Sequence, residues 1–116
     1  MYAALDTIIA EESATMYTNP GTVYSQPLII IEGRGSGNLE IGSNTLLVDD
    51  ITAGVPLYVD CAALVAYTGG SGADDPMLLA TQYITGEWPK LQPGIDFVNF
   101  TGGITRVTIH PRWRWL

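Results

Sequence analysis

Along most of the chain, apolar and polar residues alternate with a period of two, which marks half-buried strands rather than helices. Ser13 to Thr18, "SATMYT", alternates and stops at Asn19-Pro20-Gly21, where proline sets φ and glycine accepts φ > 0. Pro27 to Gly33, "PLIIIEG", is a β-branched strand led by a proline, tolerated where no ladder donor is yet required. "GRGSGN" then reads as a flexible turn. "NLEIG" and "NTLLVDD" flank Gly42-Ser43, a two-residue loop that predicts a hairpin of type II′. In "PLYVDCAALVAYTG", Leu57 and Val59 share one parity and Tyr58 and Asp60 the other, with "DCAAL" as a tight connection.

"GGSGADDPM" is a loop by composition, and "LLATQYITGEWPKLQPG" has no strong period and reads as mostly irregular. Two further strands, "IDFVNFTGG" and "ITRVTIHPRWRWL", are expected on either side of Gly102-Gly103. In the second, Val107, Ile109, Trp113 and Trp115 share one parity, while Arg106, Thr108, His110, Arg112 and Arg114 share the other. One face is thus apolar and one basic, and Pro111 places the strand at an edge or puts a bulge there. Only the first twelve residues have fair helical propensity, and they read as an N-terminal extension. About eight short strands with turns every ~6 to 12 residues predict an all-β fold, an antiparallel β-sandwich or a barrel.

With 116 residues, of which 47% are apolar and 15% charged, the chain has the size and composition of one folded domain, residues 1–116. Twelve acidic residues against five basic ones leave a net charge of −7, so neither nucleic acid nor an anionic membrane is an expected partner. No run reaches the roughly 18 apolar residues of a spanning helix. "MYAALDTIIA" lacks a basic start and carries Asp6, which makes a poor signal peptide, so a soluble protein made in the cytoplasm is expected.

Candidate chemistry is sparse. A single cysteine, Cys61, cannot form an intrachain disulfide and reads as a small buried apolar residue. One histidine and one cysteine do not make a zinc tetrad. Asp49-Asp50 and Asp74-Asp75 are adjacent pairs that point apart in an extended chain, and "GADDPML" lacks a calcium loop's alternating ligands. "GRGSGN" has neither the spacing nor the lysine of a phosphate loop. Ser36 and Ser71 lie in glycine-rich turns without a nucleophile elbow to set beside His110. Nothing marks one carboxylate pair out for glycoside cleavage. The expectation is a protein that is not an enzyme and uses no metal or cofactor.

The segment "GEWPKLQPGIDFVNFTGGITRVTIHPRWRWL" resembles the C-terminal domain of the distal tail proteins of long-tailed bacteriophages. That family ends in Gly-x-(Phe/Trp)-Pro-x-Leu-x-Pro-Gly, a strand, a glycine-containing turn and a closing strand with Pro-Arg-Trp. The matching positions are Gly86, Trp88, Pro89, Leu91, Pro93, Gly94, Gly102, Pro111, Arg112 and Trp113. Upstream, "NPGTVYSQPLIIIEGRG" and "YVDC" are similar to the opening and middle of that domain, so the resemblance spans about residues 15 to 116. It implies a β-sandwich of the galectin and carbohydrate-binding-module type, a jelly roll decorating a ring-forming domain at the tail tip. It also implies a virion location, with the chain made in the bacterial host. The ring-forming half is not part of this sequence, and the ring hexamer is therefore not carried over.

Read bottom-up, Gln92-Pro93-Gly94-Ile95 suits a type II turn, and Trp88 suits an anchor pinning an irregular loop to the core. The Arg112 fork suits a carboxylate such as Asp60 or Asp96. Two functions follow as expectations. One is a structural virion module that contacts other tail proteins. The other is a domain that binds host cell-surface or cell-wall glycans, with Tyr2, Tyr17, Tyr24, Tyr58, Tyr67 and Tyr83 as platform candidates. Arg106, His110, Arg112 and Arg114 form a basic strip in an acidic chain, open to two readings: internal pairing, or docking to an acidic partner or a second copy.

Overall fold

The computed structural model describes residues 7–12, 14–68 and 78–113. Among them the chain is all-β, as the alternation predicts. Its strands are β1 (Ile8–Ala10), β2 (Thr15–Asn19), β3 (Leu28–Ile41), β4 (Asn44–Ile51), β5 (Leu57–Asp60), β6 (Val65–Thr68), β7 (Leu78–Leu79), β8 (Ile84–Gly86) and β9 (Gly94–His110). A single 3₁₀ turn spans Thr81–Tyr83. Every strand pairing is antiparallel.

Two long strands organise the rest. β3 and β9 pair from Leu28↔His110 to Ile41↔Val98, and each carries different neighbours on its two halves. Around the start of β3 and the end of β9 the order is β1-β9-β3-β5-β6-β7. Around the other halves it is β2-β9-β3-β4-β8. The result is two layers continuous through two shared strands, a sandwich-like arrangement. Ile29 and Ile31 in one layer and Leu39 and Ile41 in the other are all 0% exposed and belong to one cluster. The described residues contain no α-helix, and the buried side chains of both halves of the sheet belong to one strand-borne cluster.

The bend between the layers is built from glycine. A Cβ at Gly103 would fall on the carbonyl oxygen of Arg34, and one at Gly33 on that of Gly103. Register shifts between Glu32 and Gly33, and between Gly33 and Gly37, let both strands turn there. This corrects the reading of "GRGSGN" as a flexible turn and of Gly102-Gly103 as a break between strands. Both lie inside strands, because the glycines permit an approach too close for any side chain, not a reversal of the chain.

Two further expectations are corrected. Ile8–Ala10 of the presumed helical extension is a strand that pairs with Ile109, Thr108 and Val107, since β9 offers an open ladder that outweighs weak helical propensity. The closing strand stops at His110, and Arg112 takes φ +57°, so the alternation does not run on through Trp113. Val107 and Ile109 are fully buried as their parity predicts, but β9 is flanked on both sides, and Pro111 ends it rather than marking an edge or bulge. Trp113 reaches the core from beyond the strand, half-buried. Arg114 and Trp115, together with Tyr2, Ser71, Asp74 and Asp75, lie outside the described residues.

Local chemistry matches the turns. Gly42 takes φ +60° and Ser43 does not, the type II′ pattern. The connection from Cys61 to Leu64 is tied by Asp60, whose Oδ1 accepts from the amides of Ala62 (3.1 Å) and Ala63 (3.2 Å). The stretch expected to be mostly irregular contains β7, the 3₁₀ turn and β8, each of two or three residues, too short to imprint a period.

Candidate partner-binding face

The outward side chains of the first layer form one row at right angles to the strands. Register places Ile9 beside Thr108, Thr108 beside Ile30, Ile30 beside Tyr58, Tyr58 beside Tyr67 and Tyr67 beside Leu79. An antiparallel sheet with one face on the core normally shows polar residues on the other. Here five of these six are apolar or aromatic. Ile9 is 47% exposed and Leu79 70%, while the four between them are half-buried. Six strands at about 4.8 Å spacing make a row ~24 Å long. The Tyr58 and Tyr67 rings are stacked, 5.3 Å between centroids and 11° between planes. Each therefore turns one face to the other ring.

Charged groups rim this row. Arg106 lies opposite Glu32 in the ladder, with its Nε 3.8 Å from the Glu32 carboxylate. His110 lies opposite Leu28, its Nδ1 3.5 Å from Thr7 Oγ1. Arg112 donates to Asp60 through Nη1 (2.9 Å) and Nη2 (3.4 Å), and through Nη1 also to the Gln26 carbonyl at 3.4 Å. Of the two carboxylates suited to Arg112, Asp60 is the partner; Asp96 instead accepts from the amide of Phe97 at 2.9 Å. Arg106 and Arg112 are thus paired within the chain, which favours internal pairing over salt-driven docking for these two cations.

The Arg112 hydrogen bond holds the Asp60 carboxyl below its ordinary value, against an opposing effect of burial. A depressed carboxylate stabilises the fold above its unfolded value and loses that contribution as pH falls through the folded one. Arg112→Met is therefore expected to cost about 1 kcal/mol at neutral pH, the upper range for a partly exposed pair. The difference from the parent should shrink as pH drops below 3.8. Urea denaturation at pH 7 and at acid pH reads both quantities. A neutral-pH loss under ~0.5 kcal/mol, the usual effect of a surface substitution, would remove the role assigned to the pair.

The remaining motif residues are structural. Leu91 is fully buried and exchanges backbone bonds with Ser25, Ser25 N to Leu91 O at 3.0 Å and Leu91 N to Ser25 O at 2.9 Å. Asn19 Nδ2 donates to the same Leu91 carbonyl at 2.7 Å, and Lys90 Nζ sits 4.9 Å from the centre of the Tyr24 ring. The segments "NPGTVYSQ" and "GEWPKLQPG", far apart in sequence, therefore form one joint. Trp88 packs against the core, Pro89 and Pro111 are buried, and Gly94 takes the φ of +101° that a type II turn asks of its third residue. A Cβ at Gly86 would press on the Thr45 carbonyl oxygen.

Cys61 is buried, and burial, with Asp60 beside it, pushes its thiol up to about 12. It has no nucleophile's environment. Tyr17 is a core residue, its hydroxyl likewise pushed up to about 12 by burial and by Asp96. Sequence reasoning singled out the basic parity of β9 but missed the apolar row beside it. Its members come from six strands, and only the register aligns them. Comparison with known proteins finds no matching family model, no matching curated protein and no matching solved structure.

Proposed function

We propose that this chain is a structural module of a bacteriophage or prophage tail tip or baseplate, binding other tail proteins through the outer face of its first layer. The observation that carries the reading is the apolar and aromatic row from Ile9 to Leu79 on a sheet face that would ordinarily be polar. The β-sandwich that the resemblance implies is compatible with the all-β fold, and two motif positions, Leu91 and Arg112, tie segments distant in sequence together. The stacking of Tyr58 on Tyr67 favours a protein partner over a sugar on this face. Each ring has one face occupied, and a packed aromatic ridge suits the core of a protein interface.

Genomic context and recruitment test the proposal. A tape-measure gene upstream and tail-tip genes downstream, with the chain present in purified tails, are the expected findings. Ile9→Lys, at a position 47% exposed, should abolish incorporation into tails while the isolated chain melts as the parent does. Incorporation unaffected by Tyr67→Lys and by Ile9→Lys together would overturn the assignment of this face.

A further inference from the structure

A cleft of about 440 Å³ lies where the end of β4 meets the 3₁₀ turn, adjoining the outer row at its Leu79 end. Asp49, Asp50, Thr52, Val55, Gln82 and Tyr83 contribute to its lining. Its volume falls in the range of small-molecule sites. The backbone there is specifically shaped. Gly35 pairs with Ile51 and Gly37 with Val48, so Asp49 and Asp50 together oppose Ser36 alone, a β-bulge. Asp50 takes φ +58°, a place that glycine fills without strain. Bulges re-aim side chains, and strained backbone gathers at binding sites. Asp49 is held by Ser36, whose hydroxyl donates to it at 2.9 Å. Among the described residues Asp50 has neither an ion pair nor a hydrogen-bond partner.

The lining selects the ligand. No Lys, Arg or His joins the two aspartates among the described residues, so a phosphorylated or sulfated ligand would face only negative charge. A wholly apolar ligand would strip water from Asp50 and return no hydrogen bond. A metal ion lacks ligands, since no group of three or more His, Cys, Asp or Glu is gathered among the described residues. A neutral polyol satisfies each condition. Its hydroxyls donate to the carboxylates and accept from the Gln82 amide, and its C–H face rests on Tyr83, 38% exposed, and Val55. We propose that this cleft binds a neutral saccharide, with Tyr83 as the ring platform and Asp49, Asp50 and Gln82 as partners of its hydroxyls.

The cleft meets the outer row at Leu79, so variants at Asp50 and Tyr83 test it while leaving every member of that row in place. Backbone-amide NMR on the full chain tests it, titrating lactose, maltose, cellobiose and chitobiose, with glucose 6-phosphate as the anionic probe. At least one neutral disaccharide should saturably shift amides in 49–55 and 81–83, and glucose 6-phosphate should not. Tyr83→Ala should raise Kd about tenfold or more, and Asp50→Gly should weaken binding about as much while raising the melting temperature by relieving the left-handed aspartate. The proposal is overturned if none of the four disaccharides shifts these amides, if Tyr83→Ala binds as the parent does, or if glucose 6-phosphate binds equally well.

Discussion

Gly103→Ala is expected to destabilise the protein by about 3 kcal/mol, the upper end of the overpacking range. A methyl group at this position would overlap the carbonyl oxygen of Arg34 on the facing strand. The obstacle is backbone in the middle of the β3–β9 ladder, so no side-chain rotation relieves it. Because β3 and β9 run through both layers, moving them apart at the bend also loosens the pairings on either side. Thr101→Ala, an exposed position on the same strand, should stay within about 0.5 kcal/mol. Urea unfolding of the two variants makes the comparison. If Gly103→Ala cost no more than Thr101→Ala, the close approach of the strands would not be what shapes the bend.

Leu91→Ala should cost a similar amount, about 3 kcal/mol, for a different reason. Leu91 is fully buried, and removing its isobutyl group leaves both lost transfer energy and a cavity. Its backbone is held by Ser25 and by the Asn19 side chain, so the chain cannot easily collapse into the space. Deletion should therefore be felt where the 19–25 segment meets the 86–94 segment, with amide exchange rising first at Ser25 and Leu91. A loss below 1 kcal/mol would mean that the joint rests on its hydrogen bonds and not on this side chain.

Both expectations rest on residues that the sequence marks and on contacts that it does not. Leu91 stands out only as one position of a resemblance, inside a stretch without periodicity. Its partners lie 66 and 72 positions away, and no local pattern encodes such a pairing. Arg112 was readable as a fork in search of a carboxylate, because guanidinium chemistry is local. The choice of Asp60 over Asp96 was not. It follows from where β5 ends and from the positive φ that turns Arg112 out of the line of β9. The same turn is why extending the alternation to Trp113 failed. Parity persists only while the backbone stays extended, and a proline at the strand's end followed by a left-handed residue resets it.

The sequence by itself determined the all-β class, the Gly42-Ser43 hairpin, the Asp60–Leu64 connection, the shared parity of Leu57 and Val59 and the apolar parity of Val107 and Ile109. Each depends on a residue's own preference or on the period-two geometry of an extended chain, both of which act over a few residues. Only the tertiary structure decided that two glycine-rich segments are bends within continuous strands, that Ile8–Ala10 joins the sheet, and that six strands align Ile9 through Leu79 in one apolar row. Those outcomes depend on register between segments distant in sequence. Register is set by whole-sheet burial and strand approach, which no local window of the chain contains.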